Sequence, residues 1–267
     1  MKKLIATIVL IFSTGSVGQT LEETRQKIES IFWMTEQYPP YNYIDEKSGQ
    51  LKGITVDILM EMFKKVGVRT TRNDLKVLPW ARSYNNLLQK PGTALFSTTY
   101  TMERLQLFKF VGPIIPTRVS IIANKNKGLK IASKEDIDKL KIGVIRDDIG
   151  DQLIQALGVN DHAIERKHSA YSMVHMLNEG RLDIIAYAED IARYQFKLAG
   201  IDPDQYEAVY VLKKSHMGYA FHKSTDLRVL EPLRQALDEL RANGTVDRIY
   251  TKYLNKASSE IPGTQSN

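Results

Sequence analysis

The sequence contains no cysteine. That excludes a disulfide framework, a thiolate nucleophile, a Cys-ligated zinc or iron–sulfur centre and a lipid-modified N-terminal cysteine. Also missing are G-x-G-x-x-G, the P-loop, H-E-x-x-H, G-x-S-x-G and S-x-x-K, so the common nucleotide, metalloprotease and serine-nucleophile signatures give no support. The histidines at 162, 168, 175, 216 and 222 lack the spacing of metal ligands, and no metal or cofactor is expected. There is no internal repeat. After the first residues no apolar run is long enough to cross a bilayer. An excess of one charge sign is nearly absent too. With 37 basic against 31 acidic residues the formal charge is +6, and the basic residues are dispersed. No nucleic-acid partner is therefore expected.

What is there describes a globular chain. Of its 267 residues, 43% are hydrophobic and 25% charged, an ordinary folded composition. Lys2 and Lys3 precede the apolar run Leu4 to Phe12, followed by the small residues Ser13 to Gly18. A basic start, a short apolar run and small residues describe an export leader, expected over residues 1–18, rather than a spanning helix. A periplasmic location follows for an exported chain with no lipid anchor.

Beyond the leader, short apolar strands alternate with amphipathic helices. Strands are expected at Ile31–Met34, Leu75–Leu78, Ala94–Phe96, Val119–Ala123, Ile142–Ile145, Asp183–Tyr187, Val209–Leu212 and Tyr219–Phe221. Helices are expected over Val56–Val66, stopped by Gly67, and over Ala81–Gln89 with Ala81, Tyr84 and Leu88 inward. Others follow Asp148, Ser169 and Ile191, and a leucine stripe runs from Leu227 to Leu240. Such alternation is the pattern of an α/β fold. Residues 256–267 are small and polar and read as a disordered tail.

The residues suited to chemistry favour binding. Tyr38 and Trp80 each follow a strand beside a proline-bearing turn, where aromatic rings can wall a flat or cationic ligand. Ser97, Thr98 and Thr99 end a strand, and Arg104 follows shortly. Hydroxyls, free backbone N–H groups and a guanidinium make a carboxylate seat.

In order along the chain stand Tyr38-Pro39-Pro40-Tyr41, Gly53-Ile54-Thr55-Val56-Asp57-Ile58, Pro79-Trp80, Ser97 to Arg104 and Phe108 to Pro113. Lys141 to Ile145, Glu179 to Asp183 and Asn243 to Leu254 continue the series. Together they resemble the amino-acid-binding branch of bacterial periplasmic solute-binding proteins, family 3. The resemblance implies a type II-like periplasmic-binding-protein fold: two α/β lobes, each a mostly parallel sheet flanked by helices, joined by two hinge strands. Lobe 1 would comprise residues 19–115 plus 217–255, and lobe 2 residues 119–212. By the same resemblance Arg104 pairs with a ligand carboxylate, Ser97 and Thr99 complete the seat, and Tyr38 and Trp80 are aromatic walls. Arg82, one turn past Trp80, is a further candidate.

The second lobe departs from the family pattern. Asp147-Asp148 stands where a Gly-Thr is usual, and Ala188 where an acid for the ligand's amino group is usual, with Glu189 adjacent. Asp148 and Glu189 are therefore ligand-site candidates of altered character, pointing to an amino acid or an amino-acid-like, modified, cyclic or cationic compound. The implied partners are a small-molecule solute and an inner-membrane ABC permease or a sensor protein, with a monomeric chain. The competing readings are a stand-alone sensory module and a periplasmic enzyme on the same scaffold, resembling cyclohexadienyl dehydratases. Glu36 and Glu189 are the acids nominated for that enzyme's proton transfer, and the binding-protein reading itself requires no catalytic residue.

Overall fold

The computed structural model describes residues 15–259, with side chains over 21–253. Most of the expected leader and the end of the expected tail thus lie outside the described residues. Ten strands are present in the described part: β1 (Phe32–Thr35), β2 (Tyr43–Ile44), β3 (Leu51–Lys52), β4 (Lys76–Val77), β5 (Thr93–Thr99), β6 (Phe108–Asn124), β7 (Ile142–Ile145), β8 (Ile164–Lys167), β9 (Ile184–Ala188) and β10 (Tyr206–His222). The helices are α1 (Gly15–Glu29), α2 (Ile54–Val66), α3 (Trp80–Gln89), α4 (Met102–Leu107), α5 (Lys134–Ile137), α6 (Ile149–Ala156), α7 (Ala170–Asn178), α8 (Glu189–Leu198), α9 (Leu227–Ala242) and α10 (Thr245–Ser259). α10 runs into the segment expected to be a tail.

β2 and β3 form a small hairpin, and the other strands form one sheet in the order β4-β1-β5-β10-β6-β9-β7-β8. Within the first lobe β1 runs parallel to β4 and β5; within the second β7 runs parallel to β8 and β9. The two 17-residue strands β6 and β10 pair antiparallel from Phe108↔His222 to Asn124↔Tyr206. One end of this ribbon pairs with β5 and the other with β9. The ribbon is the covalent link between the lobes.

Each lobe has its own reason to fold. Trp33 of β1 packs edge-on to Phe63 of α2 (5.1 Å) and Phe221 of β10 (5.4 Å). The apolar stripe of α9, Val229 to Leu240, closes over the same core. α2 ends as its sequence dictates: Gly67 takes the left-handed conformation (φ 78°), and its N–H reaches back to the carbonyl of Lys64. All seven residues of β5 are buried, as befits a strand covered on both faces. A smaller core beneath the second lobe gathers Ile121, Ile142, Val144, Ile154 and Ile184.

Two expectations need correction. Val119–Ala123, Val209–Leu212 and Tyr219–Phe221 are pieces of β6 and β10, not separate strands. The polar stretch Lys213–His216, between the two expected strands, continues β10 in a two-stranded ribbon with much of its surface in water, where polar residues are tolerated. On α3 the buried residues are Trp80, Ser83, Tyr84 and Leu87. Tyr84 is inward as expected, Leu88 packs partly buried against the core, and Ala81 is not among the residues packed there.

Candidate functional site

The carboxyl ends of the parallel strands of both lobes face each other across the ribbon, the usual place for a ligand in an α/β sheet. From the first lobe come Glu36 and Tyr38 after β1, Trp80 after β4, and Ser97 to Arg104 at the end of β5. From the second come Asp147 and Asp148 after β7, and Tyr187 at the end of β9.

Arg104 is the centre of this cleft. Thr101 caps α4 by accepting the Arg104 backbone N–H at 3.1 Å, which fixes where the side chain departs. The side chain is 1% exposed. Its Nη1 donates to the Thr99 carbonyl (3.3 Å) and its Nε to Gln152 Oε1 of the second lobe (3.2 Å). The guanidinium carbon sits 5.3 Å from the ring centres of both Trp80 and Tyr84. Those two rings stack on one face of α3. Nη2 is buried and has no hydrogen-bond partner. A buried guanidinium N–H without an acceptor is costly, so this atom marks where an acceptor from a ligand fits.

Ser97 lies in the left-handed region at φ 63°, a strained position for a residue with a side chain. Its hydroxyl turns into the first lobe, donating to Asn42 Oδ1 and lying 3.1 Å from Thr55 Oγ1. The bend of the strand end is therefore held by Asn42 and Thr55; Thr55 stands in the Gly53 to Ile58 motif without an assigned role, and Asn42, four residues after Tyr38, went unnoticed. Thr99 contributes its carbonyl to Arg104.

The second lobe meets the first through one backbone carbonyl as well as side chains. Asp147, also left-handed (φ 60°), accepts the Trp80 indole N–H and the Gln152 amide at its carbonyl, both at 2.9 Å. Its own N–H donates to Asp151 Oδ2 (3.0 Å), and buried Asp151 is paired with Arg166 at 3.0 Å. Gly150 is required here: a Cβ would stand 2.1 Å from the Ala186 carbonyl, because α6 starts directly against β9. A third bridge joins the lobes where Tyr41 Oη donates to Asp190 Oδ2 at 2.7 Å. With these three contacts in place the cleft is closed.

Asp148 is the N-cap residue of α6 and is buried in the cleft. Burial pushes its carboxyl above the usual range, and the charge of Arg104 pulls it back. Glu36 is pushed well above the usual range by burial and then by the Asp148 carboxylate, again opposed by Arg104. Tyr38 meets Tyr187 edge-on at 6.0 Å, and burial raises both phenols. A cavity of about 950 Å³ is lined by Glu36, Trp80 and Tyr187 together with Leu78, Ile145 and Tyr171.

The structure thus brings together Tyr38, Trp80, Ser97, Thr99, Arg104 and Asp148. It does not bring Arg82, which is exposed on α3 away from the cavity wall. Glu189 is also elsewhere. It begins α8 instead of ending a strand, and its carboxylate is held by Arg118 (2.7 Å) and by the Ser120 hydroxyl on the ribbon. Of the two acids nominated for proton transfer, only Glu36 faces the cleft. Gln152 and Tyr187 went unnoticed in the sequence, the first as an ordinary helix residue and the second as part of an apolar strand.

A model of the bacterial extracellular solute-binding proteins, family 3, matches residues 31–256. The chain is 27% identical over 231 residues to a probable histidine-binding protein of Neisseria gonorrhoeae, covering 84% of this chain and 82% of that one. Among solved structures it is similar to a substrate-binding protein of an ABC uptake transporter from Streptococcus pneumoniae with bound histidine. There the TM-score is 0.74 at 16% identity, over 95% of this chain and 100% of the other. It is also similar to a histidine kinase sensor domain with similarity to periplasmic binding proteins, at TM-score 0.73 and 20% identity, over 84% and 96% of the two chains. Among the described residues no helix is long and apolar enough to cross a membrane.

Proposed function

We propose, for a chain that belongs to the bacterial extracellular solute-binding proteins, family 3, that it captures a small polar solute between its lobes by hinge closure. The solute is an amino acid or an amino-acid-like or cationic compound. Arg104, Ser97 and Thr99 form its carboxylate seat, Tyr38 and Trp80 its walls, and Asp148 its second-lobe contact. We place lobe 1 at residues 19–115 plus 217–255 and lobe 2 at 119–212, with the β6–β10 ribbon as hinge. The protein acts in the periplasm as a monomer after loss of its leader. It hands the solute to an ABC permease or presents it to a sensor.

The observation that carries this reading is the Arg104 guanidinium, buried with Nη2 unpartnered between two lobes that touch around it. A bidentate guanidinium suits a planar carboxylate. A thermal-shift screen with amino acids, amines, polyamines, dipeptides and small cyclic carboxylates tests it. A ligand at a hundredfold excess over Kd adds about 2.7 kcal/mol of stability to the folded state. A shift abolished by Arg104→Ala supports the reading; equal shifts in wild type and Arg104→Ala count against the seat.

One observation favours turnover as a second reading: the Glu36 carboxyl, raised by burial and by Asp148, is suited to hold a proton beside the cavity. Loss of water and carbon dioxide from a cyclic dicarboxylate, monitored by absorbance, separates an enzyme from a binding protein.

A further inference from the structure

The contacts that join the lobes are of two kinds. Trp80 to Asp147 and Arg104 to Gln152 involve the residues of the solute seat itself. Tyr41 to Asp190 does not: neither residue lines the cavity, and neither does Tyr250 beside them. This contact lies behind the wall, with the Tyr41 ring 6.0 Å from that of Tyr38.

The first-lobe half of the contact is held from several directions. Tyr41 is 2% exposed. Its carbonyl accepts the backbone N–H and the hydroxyl of Thr55, each at 2.9 Å. Gly53 packs so closely that a Cβ there would stand 2.2 Å from the same carbonyl. α10 adds a second phenol. Tyr253 Oη donates to Asp57 Oδ2 at 2.9 Å and accepts the Gly53 N–H at 3.0 Å, while Lys252 and Arg72 pair with Asp57 at 3.1 and 2.9 Å. α10 is thereby clamped to the first lobe. One turn earlier on it, the Tyr250 hydroxyl meets that of Tyr41, and both phenols feel the charge of Asp190. Across the seam Asp190 is exposed in the first turn of α8, where the helix dipole favours a carboxylate. The neighbouring acid, Glu189, takes Arg118, and among the described residues Asp190 has no basic partner at salt-bridge distance.

We propose that Tyr41, Tyr250 and Asp190 form a closure latch outside the solute site, which populates the closed arrangement of the lobes before solute binds and so sets solute affinity without touching solute. The three are positioning residues. The inference rests on the hinge closure of the proposed function and not on the identity of its solute. The loop that carries the latch also supports the seat, because Asn42, the residue after Tyr41, holds Ser97. A change in the latch therefore acts on how often the lobes close, while Arg104 acts on what they close around.

The latch is tested by measuring the separation of the lobes. The chain has no cysteine, so Asn85→Cys on α3 and Ser172→Cys on α7, both at exposed positions, accept one nitroxide each. Pulsed electron paramagnetic resonance then reads their distance in the whole protein, stripped of co-purified solute by unfolding and refolding. Wild type is expected to show a population at the separation of the present structure without added solute. Tyr41→Phe keeps the buried ring and removes the hydroxyl. It should lower the closed-to-open ratio about tenfold, as for loss of a hydrogen bond to a charged acceptor. Asp190→Ala should match it, and the double variant should lose no more than either alone. Tyr250→Phe, one step removed from the carboxylate, should lower the ratio about threefold. A ratio in Tyr41→Phe within twofold of wild type overturns the latch, as do additive losses in the double variant or a wild type found only in an open form. Because no solute enters this measurement, the two readings fail separately. A latch that responds as expected in a protein that binds none of the screened compounds stands while the solute reading falls, and solute binding through Arg104 with an unresponsive latch gives the reverse.

Discussion

The two sides of the cleft are built differently. The first lobe offers side chains: Arg104, Trp80 and Tyr38 reach into the site from strand ends and one short helix. The second lobe offers the Asp147 carbonyl, held at φ 60° so that it meets the Trp80 indole, the side chains of Gln152 and Asp190, and one buried acid, Asp148. The contrast teaches that one lobe presents a buried cation and aromatic rings while the other meets them with a carbonyl, an amide and a carboxyl group. The departures from the family pattern collect in the second lobe. Asp148 replaces a neutral cap, while Glu189 is withdrawn into a pair with Arg118 on the ribbon.

Substitutions can break this contrast, beginning with the largest effect. Arg104→Ala should lower solute affinity by roughly thirtyfold or more, read as loss of the thermal shift, because truncating one partner of a buried charged contact costs about 2–5 kcal/mol. An affinity within threefold of wild type would put the anchor elsewhere. Gly150→Ala should follow, since its Cβ would meet the Ala186 carbonyl at 2.1 Å and must displace α6. Overpacking of this kind costs about 1–3 kcal/mol, so a lowered denaturation midpoint and a tenfold weaker affinity are expected. A variant as stable and as tight as wild type would show that α6 need not lie against β9.

Trp80→Phe keeps the wall and removes only the indole bond to Asp147. At about 0.5–1.5 kcal/mol for such a bond, affinity should fall by roughly two- to twelvefold, with the loss in the dissociation rate measured by stopped flow. An unchanged dissociation rate would remove this bond from the closing mechanism. The pH dependence of stability is a subtler test. Glu36 has a raised value in the folded chain against an ordinary 4.5. Between the two, the folded state holds a proton that the unfolded state has released, so stability falls as pH rises through that window. Asp148 shifts in the same direction. Chemical denaturation from pH 5 to pH 8 should show a shallower decline for Glu36→Gln than for wild type. Parallel declines would contradict the raised Glu36 carboxyl. The smallest effects belong to Glu189→Gln and Arg82→Ala, whose side chains lie outside the cleft; both should bind solute within twofold of wild type in the same titration. A tenfold loss in either would restore it to the site.

Much of the first lobe's site was legible because it is written in contiguous residues. Ser97 to Arg104 spans one strand end and one short helix, so local chemistry and order suffice to find it. Trp80 was legible for the same reason, beside the proline that ends a strand. The fold class followed from strand–helix alternation. What was not legible depends on contacts between distant segments. Glu189 was a site candidate only by its place beside Ala188; β9 stops at Ala188, and the acid is the first residue of a helix, where a negative charge is favoured by the dipole. Gln152 gains its role only because α6 of one lobe meets Arg104 of the other. The length of β6 and β10 was hidden by polar residues that are unremarkable in a solvent-flanked ribbon.

The most direct test of the central claim is a calorimetric titration of the strongest compound from the thermal-shift panel into wild type and Arg104→Ala, with both confirmed folded by circular dichroism. The account predicts saturable one-to-one binding to wild type and binding to the variant weaker by roughly thirtyfold or more. Equal affinity for the two proteins would contradict it, because the buried guanidinium would then not be the group that holds the solute.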